Sequence, residues 1–170
     1  MIEIQNLAKK YSSQTVLDIS LLKIPAGQTF GLIGNNGAGK TTLFSCLLDL
    51  IKPTKWNIIN NQVDVSISED WKSFTTAFLD ETFLIGYLMP EEYFYFIGEL
   101  RGLSKQKVDS FMSQFEDFFN GEILGGKKYL RDLSKGNQKK AGIVAALMGE
   151  PKVIVWMNHL QILIQQLKSD

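Results

Sequence analysis

Gly34-Asn35-Asn36-Gly37-Ala38-Gly39-Lys40-Thr41-Thr42 is the stretch that decides how the rest of this chain is read. Gly34 and Gly39 bracket four residues and are followed by Lys40 and Thr41, the spacing of a phosphate-binding P-loop. The residue types suit the chemistry. Glycines at 34, 37 and 39 permit φ > 0 and let backbone N–H groups close on phosphate oxygens, the Lys40 ammonium can reach terminal phosphates, and the Thr41 hydroxyl can ligate Mg²⁺. Upstream, Thr29-Phe30-Gly31-Leu32-Ile33 is a short apolar run suited to a buried strand. Downstream, Thr41 to Leu50 has a helical pattern, so the loop delivers phosphate to a helix N-terminus.

Outward from this loop the chain changes character once. Ile2 and Ile4 alternate with polar residues, Leu17 to Ile24 is strand-like, and Pro25-Ala26-Gly27 is a turn into the loop strand. Lys52-Pro53-Thr54 breaks the first helix, and Ile58-Ile59 and Val63-Asp64-Val65 are short strands around Asn60-Asn61. From Pro90 the pattern turns helical: Glu91 to Leu100, Lys105 to Phe119 and Ser134 to Met148, before an apolar strand from Val153 to Trp156. Phe111, Phe115, Phe118 and Phe119 recur at helical spacing and read as core of this helical part rather than as a docking surface. A β-rich N-terminal part, a helical insert and a return to an apolar strand make an α/β plan with a helical subdomain. The parts fall at 1–85, 86–149 and 150–170, within one domain.

Bulk properties exclude some classes of function. The 170 residues, 45% hydrophobic, can build one sizeable core, and 18 basic residues balance 18 acidic ones. No global field therefore draws the chain to nucleic acid or to an anionic membrane surface, and phosphate affinity has to be local. Cys46 has no second cysteine to pair with. Met1 to Tyr11 is not a leader sequence, and no apolar run approaches a bilayer span, so the chain is expected to be cytoplasmic and not itself membrane-inserted.

A second motif narrows the ligand class to a family. Leu133-Ser134-Lys135-Gly136-Asn137-Gln138, followed by a Lys-Lys pair and an Ala-rich helix, resembles the signature motif of ABC transporter ATP-binding subunits, usually LSGGQ. Its order after the P-loop and helical part, and before an apolar strand, matches that family over residues 1 to about 156. The resemblance implies a P-loop NTPase core with a parallel sheet, an N-terminal antiparallel β part and a helical subdomain. It implies ATP and Mg²⁺ as cofactors. It also implies a second nucleotide-binding subunit, identical or not, and an ABC-type membrane permease holding the chain at the inner face of the membrane. Tyr11 matches the aromatic residue that stacks on adenine, and Ser134 and Gly136 match the groups that meet the γ-phosphate held by the other subunit. No glutamine stands at the Q-loop position, and Asp80 or Glu81 lies nearest to it.

The chain also departs from the family pattern. Where the Walker B strand should end in Asp and Glu, Met157 and Asn158 follow Trp156. A thioether cannot replace a carboxylate toward a hard cation, and an amide cannot act as general base toward water. His159, the sole histidine, lies beside the strand rather than at the switch position, and reads as a strand-exit residue. Leu160, Leu163, Ile164 and Leu167 have helical spacing, so a tail helix is expected with no further strand. The whole resembles a C-terminally shortened ABC subunit with impaired hydrolysis. The alternative is a nucleotide-binding regulatory or interaction module without turnover.

Overall fold

The structure, a computed structural model, describes residues 1–35, 37–157 and 162–166. These divide into two compact units, Met1–Thr75 with Lys152–Asp170, and Thr76–Pro151.

In the first unit, β1 (Ile2–Tyr11) and β2 (Gln14–Ile24) form a long antiparallel hairpin in which Ile2 faces Ile24 and Leu7 faces Ile19. Ile2, Ile4 and Leu7 are fully buried. The step from 4 to 7 occurs at Asn6, whose φ of 50° turns the strand so that Leu7 faces inward. The pairing slips between Lys9 and Lys10, where Val16 of β2 is the extra, unpaired residue of a β-bulge. The short strands β3 (Thr29–Leu32), β4 (Ile58–Asn60) and β5 (Val63–Asp64) follow, with the helix α1 (Lys40–Leu47) after β3. The turn joining β4 and β5 centres on Asn61 and Gln62, at φ 46° and 70°, one residue beyond the pair expected from sequence. One sheet has the order β2-β1-β4-β5.

The second sheet of this unit carries the P-loop strand. β7 (Val153–Met157) and β8 (Ile162–Gln166) lie antiparallel, and β3 lies antiparallel to β8 on its other side. β3 and β7 therefore run in the same direction, as the family resemblance implies, but the strand between them runs against both. β8 corrects the expected tail helix and the expectation of no strand beyond β7. Ile164 pairs with Phe30 on one side and Val155 on the other, so a strand here satisfies two rows of backbone groups that a helix would leave open. The β-branched Ile162 and Ile164 suit that choice. Leu160 and Leu167 lie outside the described residues.

The second unit takes in β6 (Thr75–Phe78) from its second residue and contains α2 (Pro90–Leu100), α3 (Lys105–Ser113), α4 (Glu116–Phe119) and α5 (Lys135–Leu147). It begins at Thr76 rather than at 86 because β6 is fastened to α5. The Thr76 hydroxyl donates to the Ala146 carbonyl at 2.7 Å, and the Phe78 ring lies where a Cβ on Gly142 would be, 2.1 Å away. Only glycine at 142 allows that approach. The core gathers Phe94, Val108, Phe119, Leu130, Val144 and Met148.

The helix expected over Lys105 to Phe119 is broken into α3 and α4. The Ser110 carbonyl accepts from the Ser113 hydroxyl at 3.0 Å and the Gln114 side-chain amide at 3.2 Å, side-chain bonds that compete with helical propagation. Gln114 and Phe115 then close on carbonyls three residues back, ending the first helix. Phe119 is buried and Phe111 and Phe115 pack against the core, whereas Phe118 is exposed beneath Lys140, whose ammonium lies 5.3 Å from its ring.

Candidate nucleotide site

The residues of the P-loop pattern are brought into one turn by local geometry. Gly37 and Gly39 both sit at φ 83°, left-handed positions that a side chain would strain. Gly39 is doubly constrained, since a Cβ there would lie 2.5 Å from the Val16 carbonyl oxygen of β2. Gly34 lies outside the left-handed region, so the expectation of φ > 0 at all three glycines is corrected. Its contribution is its carbonyl, which with that of Asn35 accepts from the Lys40 ammonium at 2.5 and 2.8 Å. Lys40 is thus folded over the loop it would share with phosphate. α1 starts at Gly39 with no side-chain cap and no acid in its first turn, which leaves its first N–H groups free for an anion. Ala38 N–H donates to the Asn35 carbonyl at 3.2 Å, and Thr42 is half-buried in the first turn. Asn36 lies outside the described residues. Behind the loop Cys46 is fully buried, and burial pushes its thiol pKa up.

The structure brings the end of β7 to the same place. The Thr41 hydroxyl donates to the Met157 sulfur at 3.8 Å. The spacing of the P-loop and the apolar run to Met157 were both legible in the sequence, and here they converge. Asn158 and His159 lie outside the described residues.

Tyr11 is half-exposed at the end of β1, opposite Gln14 and two residues along β2 from the Val16 carbonyl that packs on Gly39. Lys9 stands beside it, unanticipated from sequence. Its ammonium lies 4.9 Å from the Tyr11 ring centroid and donates to the Lys52 carbonyl at 2.7 Å. Lys9 and Tyr11 are two residues apart on β1 and so lie on one face of the strand, and no motif announces the contact.

In the second unit the signature residues form the entry to α5. Ser134 is its N-cap, and its hydroxyl accepts from Asn137 N–H at 3.2 Å. Gln138 is buried, and its amide donates to the Arg131 and Leu133 carbonyls at 3.1 and 2.9 Å, which ties the loop to the helix. Leu133 packs against the helical core, and a Cβ on Gly136 would meet nothing closer than 3.9 Å. The Asn137 amide donates to Glu122 at 3.0 Å, and hydrogen bonds from Asn137 and then Asn120 hold the Glu122 carboxyl below its ordinary pKa.

The Q-loop candidates separate by role. Asp80 caps a short 3₁₀ turn over Glu81–Phe83, accepting from Thr82 N–H at 2.7 Å. Glu81 forms an ion pair with Lys135 of the signature at 3.4 Å. Its carboxyl is held below the ordinary pKa by its own backbone N–H and then by Lys135, against the opposing effect of burial. Arg131 was missed from sequence: its guanidinium stacks over Tyr87 at 4.3 Å while its backbone N–H donates to the Gly86 carbonyl at 3.1 Å.

This architecture, a P-loop between a strand and α1 with a signature-like helix start in a separate helical unit, is that of an ATP-binding cassette. The chain belongs to the ABC transporter family, whose family model matches residues 17–156. It is 30% identical over 165 residues to the bacitracin transport ATP-binding protein of Enterococcus faecalis, covering 91% of this chain and 49% of that protein. It is 28% identical over 166 residues to an uncharacterized ABC transporter ATP-binding protein of Methanocaldococcus jannaschii, covering 91% and 54%. The chain therefore spans about half the length of the curated relatives it matches. Among solved structures it is similar to an ATP-binding subunit of an ABC transporter, with a TM-score of 0.76 at 24% identity over 91% of this chain and 65% of that one. A dimeric bacterial ABC transporter cassette aligns with a TM-score of 0.75 at 20% identity, covering 92% and 73%. Among the described residues no helix is long and apolar enough to cross a membrane.

Proposed function

We propose that this chain is the ATP-binding subunit of an ABC-type transporter, that it binds ATP through residues 34–42 and Tyr11, and that it hydrolyses ATP poorly. Both units serve one nucleotide-binding domain. The observation that carries the reading is the P-loop turn itself, with left-handed Gly37 and Gly39, Lys40 against the loop carbonyls and an uncapped α1 start. Ser134, Lys135, Gly136 and Asn137 would present the signature to a nucleotide held by a second subunit, identical or homologous. A membrane permease would hold the pair at the inner face of the cell membrane, where binding and any hydrolysis couple to transport.

Poor hydrolysis follows from Met157, which stands beside Thr41 where the family places an acid. The same contact favours the second reading, a nucleotide-binding regulatory module without turnover. Titrating the chain with ATP beside a phosphate-release assay tests both. Saturable binding with phosphate release at background is expected, and release that is robust and abolished by Lys40→Ala would refute the reading of Met157. Adding the purified permease separates the two readings, since a transport subunit binds it and a stand-alone module does not.

A further inference from the structure

We propose that the nucleotide site takes its triphosphate without Mg²⁺, the metal-free form being bound at least as tightly as the magnesium complex. This rests on the reading of residues 34–42 as a nucleotide site and specifies the ligand that the site accepts.

The donor set does not fit a hard cation. Mg²⁺ demands oxygen ligands in near-octahedral array and keeps several waters, which in turn need hydrogen-bond acceptors around them. The family resemblance supplies two protein groups for that shell, the hydroxyl at Thr41 and a carboxylate at the end of the Walker B strand. Here the hydroxyl is turned to the Met157 sulfur at 3.8 Å. A thioether is a soft ligand and a weak acceptor, so it neither coordinates Mg²⁺ nor holds a water of its shell. No group of three or more His, Cys, Asp or Glu side chains that could hold a metal occurs among the described residues.

Charge points the same way. Where a carboxylate faces the phosphates, the metal bridges two negative partners and removes their repulsion. With neutral Met157 there, that repulsion is missing and so is the benefit of bridging it. What remains is positive: the Lys40 ammonium and the first N–H groups of α1, which has no acid in its first turn. A metal ion on the triphosphate would neutralise the charge these groups are placed to meet.

Calorimetric titration of the full chain with ATP, once in EDTA and once in excess MgCl₂, tests this. The Kd in EDTA is expected to be equal to or tighter than the Kd in Mg²⁺, within about threefold, and Met157→Asp is expected to weaken binding in EDTA by about tenfold relative to Mg²⁺. Met157→Leu, which keeps the position neutral, is expected to behave like the parent. Wild-type binding that tightens by more than about threefold on adding Mg²⁺ overturns the metal-free proposal and leaves the nucleotide reading standing. Absence of binding in both buffers overturns the two together.

Discussion

The turn between β3 and α1 and the end of β7 meet at the candidate site, and they differ in what they offer a nucleotide. The turn has its left-handed glycines, its lysine on the loop carbonyls and an uncapped helix start. Opposite it stands the Met157 sulfur, where the family resemblance leads one to expect a carboxylate. The difference separates holding a triphosphate from cleaving it. On the proposed reading, phosphate would be held by backbone groups and one ammonium drawn from nine consecutive residues, whereas cleavage would need acids that the fold must deliver from far along the chain.

Lys40→Ala should have the largest effect, and it tests the turn. Losing a charge-assisted contact costs about 1.5–3 kcal/mol, on the order of 10- to 100-fold in Kd, and it should weaken ATP and inorganic triphosphate alike. Equal affinities in parent and variant, measured by calorimetry, would break the comparison at its stronger side.

The Tyr11 and Lys9 pair refines that side. Tyr11→Ala should weaken ATP by about two- to tenfold and leave inorganic triphosphate unchanged, since only the base stacks. Lys9→Met removes a cation–π contact worth roughly 0.5–1 kcal/mol at an exposed site, and should weaken ATP by about twofold with the same selectivity. A parallel loss for triphosphate would place these residues in the hairpin fold rather than on the base.

What could be read from sequence follows the same division. The turn at Gly37 and Gly39 is contiguous and local, so residue type and spacing gave its left-handed positions, though not the ordinary backbone at Gly34. The strand to Met157 was equally plain, because a run of buried apolar residues ended where an acid was missing. Lys9 escaped notice because a pair of residues two apart on one strand face carries no motif, and the Lys52 carbonyl that holds its ammonium comes from 43 residues along the chain. Gln138 and Arg131 escaped as structural parts because their partners are backbone carbonyls and a ring that tertiary packing brings to them. The tail was misread for a different reason. Leu163 and Ile164 fit a helical stripe, but the pairing demand of β3 and β7 outweighed local periodicity. The Lys105 to Phe119 helix failed where Ser113 and Gln114 took up a main-chain carbonyl.

The signature region offers the smallest test, and it extends the comparison to carboxylates that are present. Glu81 pairs with Lys135, and Glu122 accepts from Asn137, so two acids fix two signature residues. Both carboxyls have folded-state pKa values below the usual 4.5, Glu81 chiefly through its own backbone N–H and then Lys135, Glu122 chiefly through Asn137. A depressed pKa means that the unfolded chain binds more protons in this range, so stability falls as pH falls. The contribution is complete above about pH 4.5 and is lost as pH drops through the folded values. Glu122 is reached by solvent and burial of the Glu81 side chain opposes its shift, which keeps the effect small. Thermal unfolding followed between pH 7 and pH 3.5 should therefore show a slightly shallower decline in Tm for the Glu81→Gln, Glu122→Gln variant than for the parent below about pH 4.5, with the two curves parallel above it. Curves that stay parallel throughout would mean that Lys135 and Asn137 are held by α5 alone. The acids would then be bystanders, and the signature would resemble the P-loop in needing no carboxylate for its shape.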